Sequence, residues 1–226
     1  MILSFYSRLK KLLLFTLAFL SFLPVLSSCG KKSIDYFSYV SENRNNIFLC
    51  QTETYLLKIY SSDKETPYLC DGVKRTVSPR TEIYLTAESG DENYEISFIV
   101  DGKTYGGDMS YDNVRSEYFY FVTLDVSDLS QIPVKLTNGQ GTTEMNAVSV
   151  KEDGLLSPRE IVDKVRIAEP ETIKLLTQKS VFQGEIYVRL ISENGLYYFV
   201  GIVDKQGNML SLLCDGKTGK VLAKRG

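Results

Sequence analysis

Alternation of apolar and polar side chains, broken at short intervals by turn dipeptides, constrains this chain more than any other feature. It calls for antiparallel β-strands along most of the length. Tyr94, Ile96, Phe98 and Val100 alternate with Glu95 and Ser97, and Asp101-Gly102 follows where a hairpin turn belongs. Ile186, Val188 and Leu190 alternate in the same way with Glu185, Tyr187 and Arg189. Asn194-Gly195 then turns the chain, and Tyr198, Val200 and Ile202 alternate on the return. A period of two sends successive side chains to opposite faces, so each run expects one buried and one solvated face. Residues 54–60, 82–87, 118–126, 132–136 and 145–150 are further runs rich in β-branched and aromatic residues. Residues 34–46 are polar with a few aromatics and read as a short helix or an ordered lead-in.

The fold class is therefore mainly β with an α+β part. Six or seven short strands between 47 and 150, with Asn138-Gly139 and Gly141 among their turns, predict an antiparallel β-sandwich of immunoglobulin-like architecture. The likeness is architectural only, since a chain without Trp cannot build the Cys–Trp–Cys centre of antibody domains. Ser157-Pro158-Arg159-Glu160 then starts a helix. Ser157 caps it, Glu160 reaches back, and Pro158 takes the first helical position. Ile161, Val162 and Val165 share one face; Pro170 ends or kinks the helix, and 171–178 continue it with Ile173, Leu175 and Leu176 inward. A meander of three to four antiparallel strands follows, too thin to be stable unless its apolar face packs on that helix. The expected organisation is a leader at 1–28, a tether at 29–46, a β-sandwich at 47–150 and an α+β module at 151–226.

The leader has the layout of an export signal. Arg8, Lys10 and Lys11 precede an apolar run over 12–26, shorter than the roughly 20 residues of a membrane-spanning helix. Leu26-Ser27-Ser28-Cys29 closes it and resembles the lipobox of bacterial lipoproteins. The resemblance implies cleavage between Ser28 and Cys29 and a diacylglyceryl group on the Cys29 sulfur. It places the mature chain on the extracytoplasmic face of the cell membrane. Two acyl chains anchor stably where one is marginal. Loss of 1–28 removes three basic residues and no acidic one, leaving 23 basic against 28 acidic residues and a net charge of −5. The membrane attachment rests on lipid, not on a basic patch.

Composition narrows the chemistry. The chain has no His, which excludes His-dependent triads, His metal sites and His proton shuttles. Its charge gives no electrostatic case for nucleic acid. With Cys29 lipidated, Cys50, Cys70 and Cys214 remain, so at most one disulfide forms within the chain. Cys50 and Cys70, 20 residues apart, are the candidate pair, with three inert thiols as the alternative. No C-x-x-C pair supports zinc or thiol redox chemistry. The acidic residues lack calcium-loop spacing, and no metal or cofactor is expected. Gly102-Lys103-Thr104 and Gly216-Lys217-Thr218 imitate the end of a phosphate-binding loop, but Ser97 and Ser211 stand where its first glycine belongs. Both triplets read as hairpin turns. Tyr105, Tyr111, Tyr118, Phe119, Tyr120 and Phe121 form an aromatic cluster. Alternation puts Phe119 and Phe121 on one face and Tyr118 and Tyr120 on the other, and the two tyrosines are the candidate binding surface.

Residues 196–204, LYYFVGIVD, followed by 213–222, LCDGKTGKVL, resemble the closing strands of PepSY-type domains: a hydrophobic strand, an Asp, a Thr-Gly turn and a Val/Leu strand. The resemblance covers roughly 185–224 and brings no catalytic residue. It implies an exported interaction module, with restraint of an envelope peptidase as a narrower version. The sequence reading is thus a lipid-anchored, non-catalytic binding protein whose partner is an envelope protein or peptide. The alternative is a tethered hydrolase using Ser or Cys beside Lys or a carboxylate.

Overall fold

The computed structural model describes residues 34–87 and 93–226. The leader, the cleavage pair Ser28–Cys29 and the lipidation site Cys29 lie outside them.

Asp35 accepts a hydrogen bond from Phe37 N at 3.2 Å and opens one turn of 3-10 helix, Tyr36–Tyr39. The chain then enters strand β1, Val40–Gln51, seven residues before the sequence pattern expects a strand. The early part, Ser41 to Asn46, carries no alternation because most of its polar side chains are buried and bonded elsewhere in the fold. Ser41 Oγ donates to Ile186 O at 3.4 Å, and Asn46 Nδ2 donates to Ser127 O at 2.9 Å. Eight strands follow: β2 Tyr55–Glu65, β3 Val77–Ala87, β4 Glu95–Val100, β5 Lys103–Asp108, β6 Ser110–Asp112, β7 Glu117–Val122, β8 Gln131–Asn138 and β9 Gly141–Ser149. Phe48, Leu57, Ile59, Ile83 and Leu85 from β1–β3 face Ile96, Phe98, Ile132, Val134 and Leu136 from β4 and β8. These two antiparallel layers enclose the first core. Their far edges meet where the Tyr120 hydroxyl of β7 donates to Gly106 O of β5 at 3.0 Å.

The second core is helix on sheet. Ser157 caps helix α1, Pro158–Ala168, through a complete capping box: Ser157 N donates to Glu160 Oε2 at 2.8 Å, and Glu160 N to Ser157 Oγ at 3.3 Å. Helix α2, Pro170–Leu175, follows at once. Ile161, Val162, Val165 and Ile173 are buried as expected. Leu175 is not inward but 77% exposed, because a six-residue helix has room to turn only one face to the sheet. After a two-residue pair of bridges, β10 Thr177–Gln178 and β11 Val181–Phe182, come the four meander strands. They are β12 Gly184–Ser192, β13 Leu196–Asp204, β14 Met209–Asp215 and β15 Val221–Arg225. Their apolar sides (Ile186, Val188, Leu190, Tyr198, Val200, Ile202, Leu212) pack on the helices.

Strand β1 joins the two cores. Thirteen strands form one sheet, running β15-β14-β13-β12-β1-β2-β3-β7-β6, with β5-β4-β8-β9 branching from β1. Every pairing between described strands is antiparallel except β1 with β12. The first part of β1 pairs with β12 as far as Arg44 opposite Arg189. A bulge between Arg44 and Asn46 then re-aims the strand, and Phe48 and Leu49 pair with Ser149 and Val148 of β9. Asn46 holds the bend: its Oδ1 accepts from Ile47 N and from Ser149 Oγ, both at 2.8 Å. The sheet therefore forks at Arg44.

Candidate functional site

The face of β12 opposite the helices is also buried. Glu185 and Tyr187 have no exposed surface, although alternation alone assigns them to solvent. Their cover is the loop from Thr66 to Thr76 between β2 and β3, which folds back as a strap. Glu65 ties the strap at its base, accepting from Arg75 N at 3.0 Å and Leu69 N at 3.4 Å. Arg75 closes a two-pronged ion pair on Asp71, at 2.9 and 2.6 Å. Gly72 seats the strap on the meander. Its φ is +76°, and a Cβ there would stand 2.1 Å from Asp204 O, so only glycine fits. Gly72 N donates to Glu185 Oε1 at 3.1 Å, and the Tyr187 hydroxyl donates to the same oxygen. Glu185 Oε2 has no hydrogen-bond partner among the described residues. Burial, with Cys70 and the Glu185 carboxylate nearby, pushes the Tyr187 phenol well above its ordinary value.

Beside the strap lies a second polar knot, which forms the wall of the fork. Glu42, 2% exposed, accepts from Arg189 Nη2 at 2.6 Å and from the Tyr68 hydroxyl at 2.8 Å. Arg189 Nη2 also donates to the Tyr68 oxygen at 2.5 Å. Burial works to raise the Glu42 carboxyl. The Arg189 hydrogen bond and charge, with Lys64 and Tyr68, outweigh it and hold the group below the usual carboxylate range. Burial and the Glu42 charge together push the Tyr68 phenol up.

Two clefts open from this wall, of about 450 and 470 Å³, and they share Arg44, Lys58, Tyr60 and Arg189. The first is polar and holds five basic and three acidic side chains. The second holds three basic and one acidic, over an apolar floor of Ile47, Leu49, Ile191 and Phe199. Aromatic rings hold the cations in place. The Arg44 guanidinium lies 4.0 Å from the Tyr60 ring centre, Tyr60 lies 5.5 Å from Tyr84, and Arg115 lies 6.0 Å from Tyr84. Arg189 is flanked by Tyr187 at 5.7 Å and Phe199 at 5.6 Å. Arg44 and Lys58 have no carboxylate within ion-pair distance among the described residues. The site is thus a net-positive, aromatic-lined fork whose donors come from β1, β2 and β12.

None of these residues stands out in the sequence. Arg44 and Arg189 lie 145 positions apart, and Glu185-Tyr187-Arg189 reads as an ordinary solvent face. The one available signal was Ser41 to Asn46, six polar residues without a Gly or Pro to mark them as a loop.

The sites nominated from the sequence lie elsewhere. Cys50 and Cys70 do not pair; both thiols are free. Strand β2 carries the chain back along β1, so Cys70 emerges at the opposite end of the hairpin from Cys50. Cys50 packs against the first core, while Cys70 lies beside Tyr187. Tyr118 and Tyr120 lie on the face of their strand that meets the first core, not on the outward one. Tyr118 is buried in the first core and Tyr120 packs against it, which turns Phe119 and the exposed Phe121 outward. Gly102-Lys103-Thr104 lies at the β4–β5 turn and Gly216-Lys217-Thr218 at the β14–β15 turn. Among the described residues, no three His, Cys, Asp or Glu side chains gather as metal ligands, and no helix is long and apolar enough to cross a membrane. Comparison with family models, with curated proteins and with solved structures finds no match to this chain.

Proposed function

We propose that this chain is an exported lipoprotein, held by a diacylglyceryl group on Cys29 at the extracytoplasmic face of the cell membrane. It acts there as a non-catalytic binding module, with the fork as its ligand seat. Support for the anchor comes from the order of basic residues, apolar run, small residues and Cys in 8–29. The observation that carries the binding role is the fork itself: charged donors from distant strands converge on one concave surface, where Arg189 is paired with Glu42 but Arg44 and Lys58 have no carboxylate within ion-pair distance among the described residues. Pockets of this size, with a few convergent polar groups, are the usual form of a small-ligand site.

The test has two parts. Metabolic palmitate labelling and detergent phase separation should find the wild-type chain labelled and in the detergent phase, and Cys29→Ala unlabelled and in the aqueous phase. An unlabelled, aqueous wild-type chain rules the anchor out. For the binding role, the purified full-length protein in detergent is dialysed against small molecules extracted from cell envelopes. Compounds released on heating are compared between wild type and Arg44→Glu. A compound retained by wild type and lost in the variant is expected; equal retention, or none, rules out the fork as a ligand seat.

A further inference from the structure

Resting on that reading of the fork as a ligand seat, we infer that its ligand is a phosphate-type dianion, presented as a phosphomonoester or as free phosphate. The first reason is the register. Arg44 of β1 and Arg189 of β12 are directly paired on adjacent strands, and Lys58 lines the same clefts. Like charges facing each other across neighbouring strands oppose pairing. The carboxylates nearby relieve this only on the Arg189 side. Glu42 is committed to Arg189 at 2.6 Å, and Glu82 is shared between Lys64 at 3.7 Å and Arg80 at 3.2 Å. Arg44 and Lys58 are left over. An anion seated between Arg44, Lys58 and Arg189 converts the repulsion into attraction.

The second reason is how Arg44 is held. Its guanidinium carbon lies 4.0 Å from the centre of the Tyr60 ring, and no hydrogen bond or ion pair among the described residues uses its N–H donors, which suit a fork of oxygens. Its Nε is shut off from solvent and has no hydrogen-bond partner among the described residues. The stacking also disfavours a neutral sugar, since the Tyr60 ring face that a sugar would stack on is already covered by Arg44.

The third reason is charge balance. The two clefts share Arg44, Lys58 and Arg189; Arg189 is paired with Glu42, while Arg44 and Lys58 have no carboxylate within ion-pair distance among the described residues, a surplus of two unpaired cations. A phosphomonoester, at roughly −1.5 to −2 near neutral pH, matches that surplus, and a single carboxylate covers only half of it. The surplus is local, because the chain as a whole is net negative. A positive fork in a negative molecule is a directed feature rather than a general affinity for anions.

The experiment uses the full-length chain in a neutral detergent with three probes: inorganic phosphate, glucose 6-phosphate, and nanodiscs containing phosphatidic acid. Titration calorimetry reads the first two, and co-flotation reads the third. At least one probe should bind saturably, which also separates a free phosphate, a soluble ester and a lipid headgroup as the source. Arg44→Gln should weaken that binding about tenfold or more, the loss of a charge-assisted contact. Lys58→Gln, a change at a half-exposed side chain, should weaken it less while leaving the melting temperature unchanged. Lys135→Gln on the distant layer should leave it unaltered. Saturable binding that neither Arg44→Gln nor Lys58→Gln weakens overturns the inference, as does acetate binding as tightly as phosphate. If no probe binds but an envelope compound is still retained in an Arg44-dependent way, the dianion is wrong and the ligand seat stands. If nothing is retained either, the seat itself is wrong.

Discussion

Strands β8 and β12 look alike in sequence and behave oppositely in the fold. Strand β8 alternates cleanly: Ile132, Val134 and Leu136 are buried in the first core, and Gln131, Pro133 and Lys135 are exposed. Strand β12 alternates as cleanly in its sequence, yet Glu185 and Tyr187 are as fully buried as Ile186 and Val188. The difference lies in what covers the second face. Nothing described lies over the outer side of β8, whereas the strap, Tyr68 included, lies over β12. Alternation therefore reports chemistry on each face, not exposure. A polar residue on a covered face has to find partners, and Glu185 and Arg189 find them on segments far away in the chain.

That contrast can be broken by mutation, and the largest effect is expected at the covered face. Glu42→Ala leaves Arg189 without its carboxylate in a partly buried setting. It should destabilise the protein by about 3–5 kcal/mol in denaturant unfolding. A loss below about 1 kcal/mol would show that the covered face is no more demanding than the open one. The same group sets an acid limit. Because the folded Glu42 carboxyl is held below its ordinary value of 4.5, its contribution is complete above that value and is lost as pH falls through the lower folded value. Below about pH 5 the wild-type melting temperature should therefore fall more steeply than that of Glu42→Gln, measured by scanning calorimetry.

The strap comes next. Gly72→Ala forces a Cβ against Asp204 O and a strained φ, for a cost of about 2 kcal/mol or more. The sharper readout is hydrogen exchange: amides of β12 next to Glu185 and Tyr187 should exchange faster, and those of β8 should not change. Equal protection in both would mean that the strap is not what covers β12. Ser157→Ala removes one side of the capping box and should cost about 1 kcal/mol, with the loss of helical signal confined to the second core. The smallest effect is expected on the open face. Lys135 pairs with Glu144 at 3.0 Å, but both are largely exposed, so Lys135→Ala should change stability by no more than about 0.5 kcal/mol.

Thiol labelling separates the same two environments. Burial pushes the Cys214 thiol up to about 11, so maleimide should modify Cys50 and Cys70 in the native protein and reach Cys214 only on unfolding. A Cys50–Cys70 disulfide in protein isolated without reductant would contradict the hairpin geometry.

Much of the scaffold is legible in the residues. Asn194-Gly195 and Asp101-Gly102 mark their hairpins, Ser157 and Glu160 mark the helix start, and Ile161, Val162 and Val165 mark its buried face. These signals are local, because the residue that determines the backbone lies within a few positions of the segment it shapes. The candidate site was not legible in the same way. Ser41 to Asn46 reads as a polar lead-in, since its strand character comes from partners more than a hundred residues away. Tyr118 and Tyr120 read as a surface because alternation assigns two faces without saying which one the core occupies.

Local composition alone determined that the chain is mainly β, where most of its turns fall, and that a capped helix precedes a meander of three to four strands. Only the tertiary structure decided that β1 lies parallel to β12 and parts from it at Arg44, and that a strap buries the second face of the meander. The physical reason is distance along the chain. A turn or a cap is settled by neighbours in sequence, whereas Arg44 opposite Arg189 exists only because the two cores share one strand, β1.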